Sequence, residues 1–278
     1  MQAHALTPRM ANALESPPSS ALTPGFPFLS VLASGGHTLL IHSSGLTRHR
    51  VLGSTNDIAI GECLDKAARI VLPAELLQTT KSTMYGALLE RFAFSQAEHE
   101  VTNTAGTRND PAVSARDRGK GAAGCTAREY LKKKSGGRYA WYRVPANHDD
   151  ATRMSATKWG WGFDQPLTKV HGGTKINSLE LSFSGLLTAV ERVVRFRTDL
   201  ASRKLTKIER SIEDITIEER KDIARELMRA AFEHVAYRMI LALKSIPDQP
   251  AVVMSGGVAA NSFLRHMYVD LGESLRTR

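Results

Sequence analysis

Cysteine, acidic residues, aromatic residues and long apolar runs are all scarce in this chain of 278 residues. The two cysteines, Cys63 and Cys125, lie far apart and neither belongs to a pair spaced for a metal ion. This usage argues against a disulfide scaffold and indicates a reducing compartment. No apolar run approaches the ~18 residues needed to span a bilayer, so no membrane partner is predicted.

Acidic side chains are outnumbered, because 28 Asp and Glu face 37 Lys and Arg, and the net charge of +9 favours a polyanionic partner. Much of the excess lies in residues 116–143, where nine basic side chains face two acidic ones. The three tryptophans lie near the end of this segment or shortly after it, interleaved with Lys and Arg. Such a mixture could stack on and neutralise single-stranded RNA. The alternative, which we weight more heavily, is that the aromatic rings anchor the segment to the body of the protein.

Residues 26–41 are the stretch around which the chain is organised. An apolar run stops at Ser34, Gly35 and Gly36 and restarts at Thr38, a pattern that predicts a strand, a tight glycine turn and a second strand. A turn without side chains lets backbone N–H groups approach a phosphate or a carboxylate closely. An ordinary hairpin turn is the alternative interpretation of this stretch taken alone.

A second Ser-Gly-Gly sequence follows another apolar run near the C-terminus. Residues 251–254 lead directly into Ser255, Gly256 and Gly257. Two apolar strands that each end in Ser-Gly-Gly indicate two lobes that present similar loops to one ligand.

Helical patterns lie between and after these loops. The first has its apolar positions at helical spacing: Leu64, Ala67, Ala68 and Val71. Asp65 falls off that apolar face, either as a solvated carboxylate or as the partner of a ligand hydroxyl. Thr216 and Glu219 form a capping-box signature that begins a long amphipathic helix, and Asn261 is predicted to open the last helix.

A further helix is predicted after a short strand in residues 179–190. The chain enters this helix at Ser184 and Gly185. Arg192, Arg195 and Arg197 lie around its apolar positions, so that one face of the helix is expected to be basic.

Four motifs occur in order: LASGGHT at residues 32–38, a Gly61-x3-Asp65-Lys66-x-Ala68 pattern, SFSGLLTAV at residues 182–190 and SGGVAAN at residues 255–261. Together they resemble the universal tRNA N6-adenosine threonylcarbamoyltransferase family, once described as O-sialoglycoprotein endopeptidases. The resemblance covers residues 2–93 and 177–271. The segment between these two parts, with its Trp-Gly-Trp-Gly-Phe sequence, looks more like the mitochondrial branch, especially its fungal members.

The resemblance implies an α/β fold with two lobes, of the actin/Hsp70/sugar-kinase type, incomplete at both termini. Residues 1–94 would be the remainder of the N-terminal lobe, residues 95–176 a basic insertion containing tryptophans, and residues 177–278 part of the C-terminal lobe. The family transfers the threonylcarbamoyl group of threonylcarbamoyl-AMP to N6 of adenosine 37 of tRNA, next to the anticodon. The expected partner is tRNA. The branch implies a homodimer in mitochondria, with a cytoplasmic location as the alternative.

Site residues follow from positions in the motifs. The residues expected to cradle the adenylate are Leu32, Ala33, Ser34, Gly35 and Gly36. Asp65 should bind its ribose or adenine region, and Asn261 should contact it from the second lobe. Gly86 stands where the family has a Pro-Gly-Gly turn, although Tyr-Gly-Ala replaces that turn here. No residue is assigned a covalent or acid–base role.

The family also holds one divalent metal ion, iron or zinc, which polarises the threonylcarbamoyl group as a Lewis acid. His4 matches the second His of the family's His-x3-His metal pair. The first His would immediately precede Met1, and the third ligand, an Asp, would lie beyond Arg278. We therefore expect the chain to carry one of three metal ligands and to be an inactive fragment of the synthase.

Two other functions stay open at this point. A kinase or ATPase of the same fold would use similar glycine loops, although residues 182–190 and 255–261 favour the synthase. A chain that only binds tRNA or another partner through its basic segment is the alternative of a different class. Metalloprotease chemistry is disfavoured because no His-Glu-x-x-His motif occurs.

Overall fold

The computed structural model describes residues 2–15, 22–81, 83–95, 137–145, 150, 157–168, 177–246 and 251–276. The helices are α1 (Gln2–Glu15), α2 (Ile60–Val71), α3 (Ala74–Thr79), α4 (Gly86–Ala93), α5 (Ser184–Arg195), α6 (Ile217–Lys244) and α7 (Ser262–Arg276). The strands are β1 (Phe28–Ala33), β2 (Thr38–Ser43), β3 (His49–Ser54), β4 (Phe196–Asp199), β5 (Lys204–Glu209) and β6 (Ala251–Ser255). Short 3₁₀ turns lie at Ile212–Asp214 and Gly257–Ala260.

Four strands form one mixed sheet in the order β3, β2, β1, β6. β1 and β2 make the predicted antiparallel hairpin, in which Ala33 lies opposite Thr38. β6 joins the other side of β1 in parallel, with Leu32 opposite Ser255. β4 and β5 form a separate antiparallel ribbon. The predicted α/β class is therefore confirmed, as a mixed sheet accompanied by helices.

β1 lies at the centre of the fold because both of its faces are covered, and all six of its residues are buried. Leu29, Val31 and Ala33 belong to the main apolar core that α2 and α6 share. On the opposite face, Leu32 packs in a smaller cluster with Ala5 of α1. A strand buried on both sides needs a nearly continuous apolar sequence, which is what residues 28–33 supply.

The long helix α6 is buried over most of its length. Most apolar side chains of this amphipathic helix are buried, and Leu243 is half-buried; the buried ones include Ile223, Leu227, Met228, Ala231, Val235 and Met239. Charged side chains are buried with them, because Arg229 bonds Glu226 at 2.8 Å and Glu233 at 2.7 Å. Removing one partner from such a buried group costs about 3–5 kcal/mol. This ion cluster therefore fixes the surface of α6 that faces residues 157–168.

Two boundaries differ from the sequence prediction. α5 ends at Arg195, and the chain continues as β4 because residues 196–199 alternate in burial as a strand does. Arg197 therefore lies on a strand, and the predicted basic helix face is limited to Arg192 and Arg195. The strand expected before α5 is reduced to a single bridge between Thr55 and Leu181.

Two tryptophans anchor the middle of the chain to α6. Trp159 donates its Nε1–H to Asp222 at 2.9 Å, and Trp161 donates to Glu219 at 3.0 Å. The anchoring interpretation is confirmed for these two rings, and for the basic segment it stays a prediction. Residues 96–136, which hold much of the basic segment, lie outside the described residues. In the part of the chain that is described, no helix is long and apolar enough to cross a membrane.

Candidate nucleotide-binding site

The two Ser-Gly-Gly loops lie side by side at one end of the main sheet. β1 and β6 are parallel neighbours, so the loops that follow them leave the sheet at the same edge. The Cβ of an alanine at Gly256 would stand 2.2 Å from the carbonyl oxygen of Ala33. We expected the two loops to belong to two different lobes. That expectation is wrong, because β1 and β6 pair in parallel and both loops therefore follow strands of the same sheet. The segment boundaries near residues 94 and 176 stay predictions.

The first loop is an open turn. Ser34 accepts a hydrogen bond from the His37 N–H at 3.0 Å through its hydroxyl, and its own N–H donates to the His37 carbonyl at 2.9 Å. Gly35 and Gly36 are exposed, and no atom of a described residue lies within 4 Å of a Cβ built at either. Neither glycine has a left-handed backbone. The fold alone would accept side chains here, so glycine keeps this loop open to the solvent.

Leu32 and Ala33, the other two residues expected to cradle the adenylate, are buried and support the first loop from inside the protein. Leu32 is 3% exposed and Ala33 is 1% exposed. Their side chains pack into the two apolar clusters, and their strand delivers Ser34 to the end of the sheet. Only residues 34–36 of the predicted cradle are accessible.

Helix α2 begins against the first loop. The Gly61 N–H donates to the Ser34 carbonyl at 3.1 Å, and the Ile60 N–H donates to the buried Thr38 hydroxyl at 2.9 Å. A Cβ at Gly61 would stand 2.7 Å from the Ser34 carbonyl oxygen. The N-terminal end of α2 therefore lies directly at the loop, where its dipole favours negative charge.

Asp65 and Gly86 are in direct contact. The Gly86 N–H, at the start of α4, donates to Asp65 Oδ1 at 2.7 Å. Asp65 lies one helical turn after Gly61 and therefore on the same side of α2 as the first loop. Asp65 and Gly86, which the sequence predicted as separate site residues, are therefore hydrogen-bonded to each other. The Asp65 carboxylate holds the first turn of α4.

Glu90 links α4 to the second loop and was not identified from the sequence. Its Oε1 accepts from the Ser262 N–H at 2.8 Å and from the Tyr139 hydroxyl at 3.3 Å. Burial raises the pKa of Glu90, although these hydrogen bonds oppose the rise. A glutamate in the second turn of an amphipathic helix normally faces water, so no local pattern identifies it as the support of α7.

Asn261 opens α7, as predicted. Its Oδ1 accepts from the Leu264 N–H at 3.0 Å, which is an N-cap, and its Nδ2 lies 3.7 Å from the Met228 sulfur. Asn261 is 8% exposed. Both ends of its amide bond protein atoms, and its contact with an adenylate stays a prediction.

The Ser-Phe-Ser motif is held beside α2 by Asp57. Its carboxylate accepts from the Ser182 and Ser184 hydroxyls, both at 2.6 Å, and from the Phe183 N–H at 2.9 Å. Burial raises the pKa of Asp57, but the hydrogen bonds outweigh it and the net shift is downward. Asp57 is therefore ionised at neutral pH and fixes the start of α5.

Two titratable groups behind this motif are inert at neutral pH. Burial raises the pKa of Cys63 to about 12, so its thiol stays protonated. Burial, reinforced by Arg238, lowers the pKa of His234 to about 3. The neutral His234 ring accepts the Ser182 N–H at 3.3 Å. Both side chains act as packing and hydrogen-bonding groups.

The predicted metal ligand His4 belongs to α1, but its side chain lies outside the described residues. Among the side chains that are described, no three His, Cys, Asp or Glu lie close enough to hold a metal ion together. The metal ion and the ligand role of His4 stay predictions.

The geometry defines a class of protein. It is an α/β protein in which two glycine loops follow adjacent parallel strands and meet the N-terminal end of a helix. Crevices outside the carboxyl ends of parallel strands, lined by backbone N–H groups, are the usual binding places of nucleotides and phosphates.

Comparison with known proteins names the family within that class. The model of the family tRNA N6-adenosine threonylcarbamoyltransferase matches residues 1–138 and 144–276, so the chain belongs to this family. The mitochondrial tRNA N6-adenosine threonylcarbamoyltransferase of Schizosaccharomyces pombe is 28% identical over 273 residues, which cover 97% of this chain and 44% of that protein. The Bordetella avium enzyme of the same name is 26% identical over 273 residues, covering 98% of this chain and 51% of that protein. The chain thus spans about half the length of these relatives.

Proposed function

We propose that the chain binds the adenylate in an enzyme that transfers the threonylcarbamoyl group of threonylcarbamoyl-AMP to N6 of adenosine 37 of tRNA. The observation that supports this most directly is the open first loop. In the described part of the chain, Gly35 and Gly36 meet no atom that would exclude a side chain, and their backbone needs no glycine. Their missing side chains leave space for a phosphate to approach the loop N–H groups.

A chain of contacts that starts at this loop supports the proposed positions of the other groups. Gly61 joins the loop to α2, Asp65 joins α2 to Gly86, and Glu90 joins α4 to the start of α7. The phosphate would lie at the first loop, with the ribose toward Asp65 and Gly86. Asn261 would contact the nucleotide from the side of the second loop.

The more detailed predictions about fold, assembly and metal are part of the same proposal. They are the two-lobed actin/Hsp70/sugar-kinase fold, a homodimer, and one iron or zinc ion with His4 among its ligands. A location in mitochondria is supported by the name of the S. pombe relative, whereas the Bordetella avium relative is bacterial. The chemistry assigned to the described residues is binding and orientation of the adenylate.

Calorimetric titration with AMP tests the loop. Gly35→Val should weaken AMP binding at least about tenfold, or about 1.4 kcal/mol, because its side chain fills the phosphate space. The matched control is Gly25→Val, since a Cβ at Gly25 also meets nothing within 4 Å. Equal affinities for the two variants would place the nucleotide elsewhere.

A second pair of variants tests the helix. Asp65→Asn should weaken AMP binding, whereas Glu62→Gln, on the same helix and ion-paired with Lys66 at 2.8 Å, should not. Binding of tRNA without any binding of AMP would favour the alternative of a chain that only binds a partner. Hydrolysis of ATP would favour a kinase or ATPase.

A further inference from the structure

A cavity with two arginines lies between residues 160–163, α5 and the β4–β5 ribbon, away from the glycine loops. Its volume is about 220 Å³, and its walls include Trp161, Phe163, Ala189, Arg192 and Arg203. Among the described residues, no acidic side chain lines it. Pockets for whole small molecules usually measure about 300–1,000 Å³. This cavity is smaller, so it suits a single group that belongs to a larger molecule.

The wall of the cavity is rigid. Trp161 is held by its hydrogen bond to Glu219, and the Phe163 carbonyl accepts from the buried Arg229 at 2.8 Å. At Gly160, which has a left-handed φ of 80°, a Cβ would stand 3.1 Å from Thr198. The Trp-Gly-Trp-Gly-Phe segment is therefore fixed to α6 on one side and packed against the ribbon on the other.

The two cavity arginines differ from their neighbours in charge balance. Arg195 pairs with Glu209 at 2.7 Å, and Arg197 pairs with Asp214 at 2.9 Å. Within the described ranges, Arg192 and Arg203 have no such ion pair. Both are exposed, and both line the same cavity. Two guanidinium groups that have no acidic partner among the described residues, both at one small opening, match a phosphate, which arginine recognises through paired hydrogen bonds.

The backbone of Arg203 is a second indication. This residue has a φ of 52° at the turn between β4 and β5. That region favours glycine or asparagine, and a long side chain there needs a reason beyond the fold. A role for the guanidinium at the cavity supplies such a reason.

We propose that this cavity binds a backbone phosphate of tRNA through Arg192 and Arg203, at a place distinct from the adenylate loops. The proposal rests on the proposed function, because that function supplies the polyanion. The small volume and the exposure of Arg192 and Arg203 fit one phosphate of a polymer better than a free nucleotide.

The test measures the affinity of the full chain for tRNA against salt concentration. Each lost phosphate contact reduces the slope of log K against log salt by about 0.7. Arg192→Gln combined with Arg203→Asn should reduce it by about 1.4 and weaken binding about 25-fold at 0.1 M salt. Asparagine suits the left-handed backbone, so this variant should keep its fold, and its AMP affinity should not change.

The matched control removes the same charge from paired arginines. Arg195→Gln combined with Arg197→Gln should change the slope little, since carboxylates already neutralise both side chains. Ala189→Leu fills the cavity and keeps both cavity arginines, so it should also weaken tRNA binding.

Three results would overturn the proposal. An unchanged slope in the Arg192 and Arg203 variant rejects the cavity and leaves the proposed function intact. An unchanged affinity in Ala189→Leu places the phosphate outside the cavity. A wild-type chain that binds AMP but no tRNA would contradict this proposal and also the tRNA part of the proposed function.

Discussion

The two loops share the sequence Ser-Gly-Gly but use their glycines in opposite ways. In the first loop, Gly35 and Gly36 meet nothing, and the close contact is made by Gly61 of a neighbouring helix. In the second loop, Gly256 has a φ of 100° and lies against the Ala33 carbonyl, while Gly257 meets nothing. The first loop is open, whereas the second is locked against the strand beside it.

This difference distinguishes glycines that leave space for a ligand from glycines that the packing of the fold requires. A glycine that the fold does not need is a candidate for contact with a ligand, and a glycine that the fold requires is a candidate for stability. The motif alone cannot distinguish these roles, because both loops look the same in sequence. Substitutions at the individual glycines separate them.

The largest effect is expected at Gly256. Gly256→Ala combines a left-handed backbone with a clash against a main-chain oxygen, and should lower the free energy of unfolding by about 3–5 kcal/mol. Urea denaturation followed by circular dichroism measures it. Gly257→Ala is the neighbouring control and should stay within about 0.5 kcal/mol. Similar losses for both variants would remove the contrast between open and locked positions.

Gly61→Ala should come next, with a loss of about 1–3 kcal/mol, because its Cβ would press on Ser34 and Gly35. Alanine is the better helix former, so any loss is steric. Gly185→Ala, in the open first turn of α5, should be neutral or stabilising. If Gly61→Ala were equally harmless, α2 would not be fixed to the first loop.

Glu90, whose carboxylate bonds the residue after the second loop, should make the stability of the protein depend on pH. Glu90→Ala leaves the Ser262 N–H without its acceptor and should cost about 1–2 kcal/mol. Because burial raises the pKa of Glu90, the folded state binds its proton more tightly than the unfolded state. Stability from this group is therefore present below the unfolded pKa and falls as the pH rises through the folded pKa.

Glu90→Gln keeps an acceptor and does not titrate, so this fall should be absent from it. Denaturation curves of both proteins from pH 4 to pH 7 measure the difference. Parallel stability profiles would show that the proton on Glu90 has no part in holding the second loop.

The smallest effect on stability is expected in the first loop. Gly35→Ala and Gly36→Ala should change the free energy of unfolding by less than about 0.5 kcal/mol, because both positions are open. The same variants should still weaken AMP binding. A large loss of stability would mean that these glycines serve the fold after all.

Patterns within single elements were predicted well from the sequence. The β1–β2 hairpin, the buried face of α2 and the starts of α6 and α7 depend on residues close together in the chain. Thr216 caps α6 as predicted, by accepting the Glu219 N–H at 3.1 Å. The Glu219 carboxylate, however, bonds Trp161 and Arg210 instead of completing a capping box. α3 is only six residues long, too short for a periodic signal.

The sequence by itself therefore determined the local elements, the family motifs and the two glycine loops. The tertiary structure decided that β1 and β6 pair in parallel, that Glu90 supports α7, and that Arg192 and Arg203 share a cavity. The physical reason is range. Helix and strand periodicity comes from neighbouring residues, whereas burial, pairing and charge balance depend on residues that only the folded chain brings together.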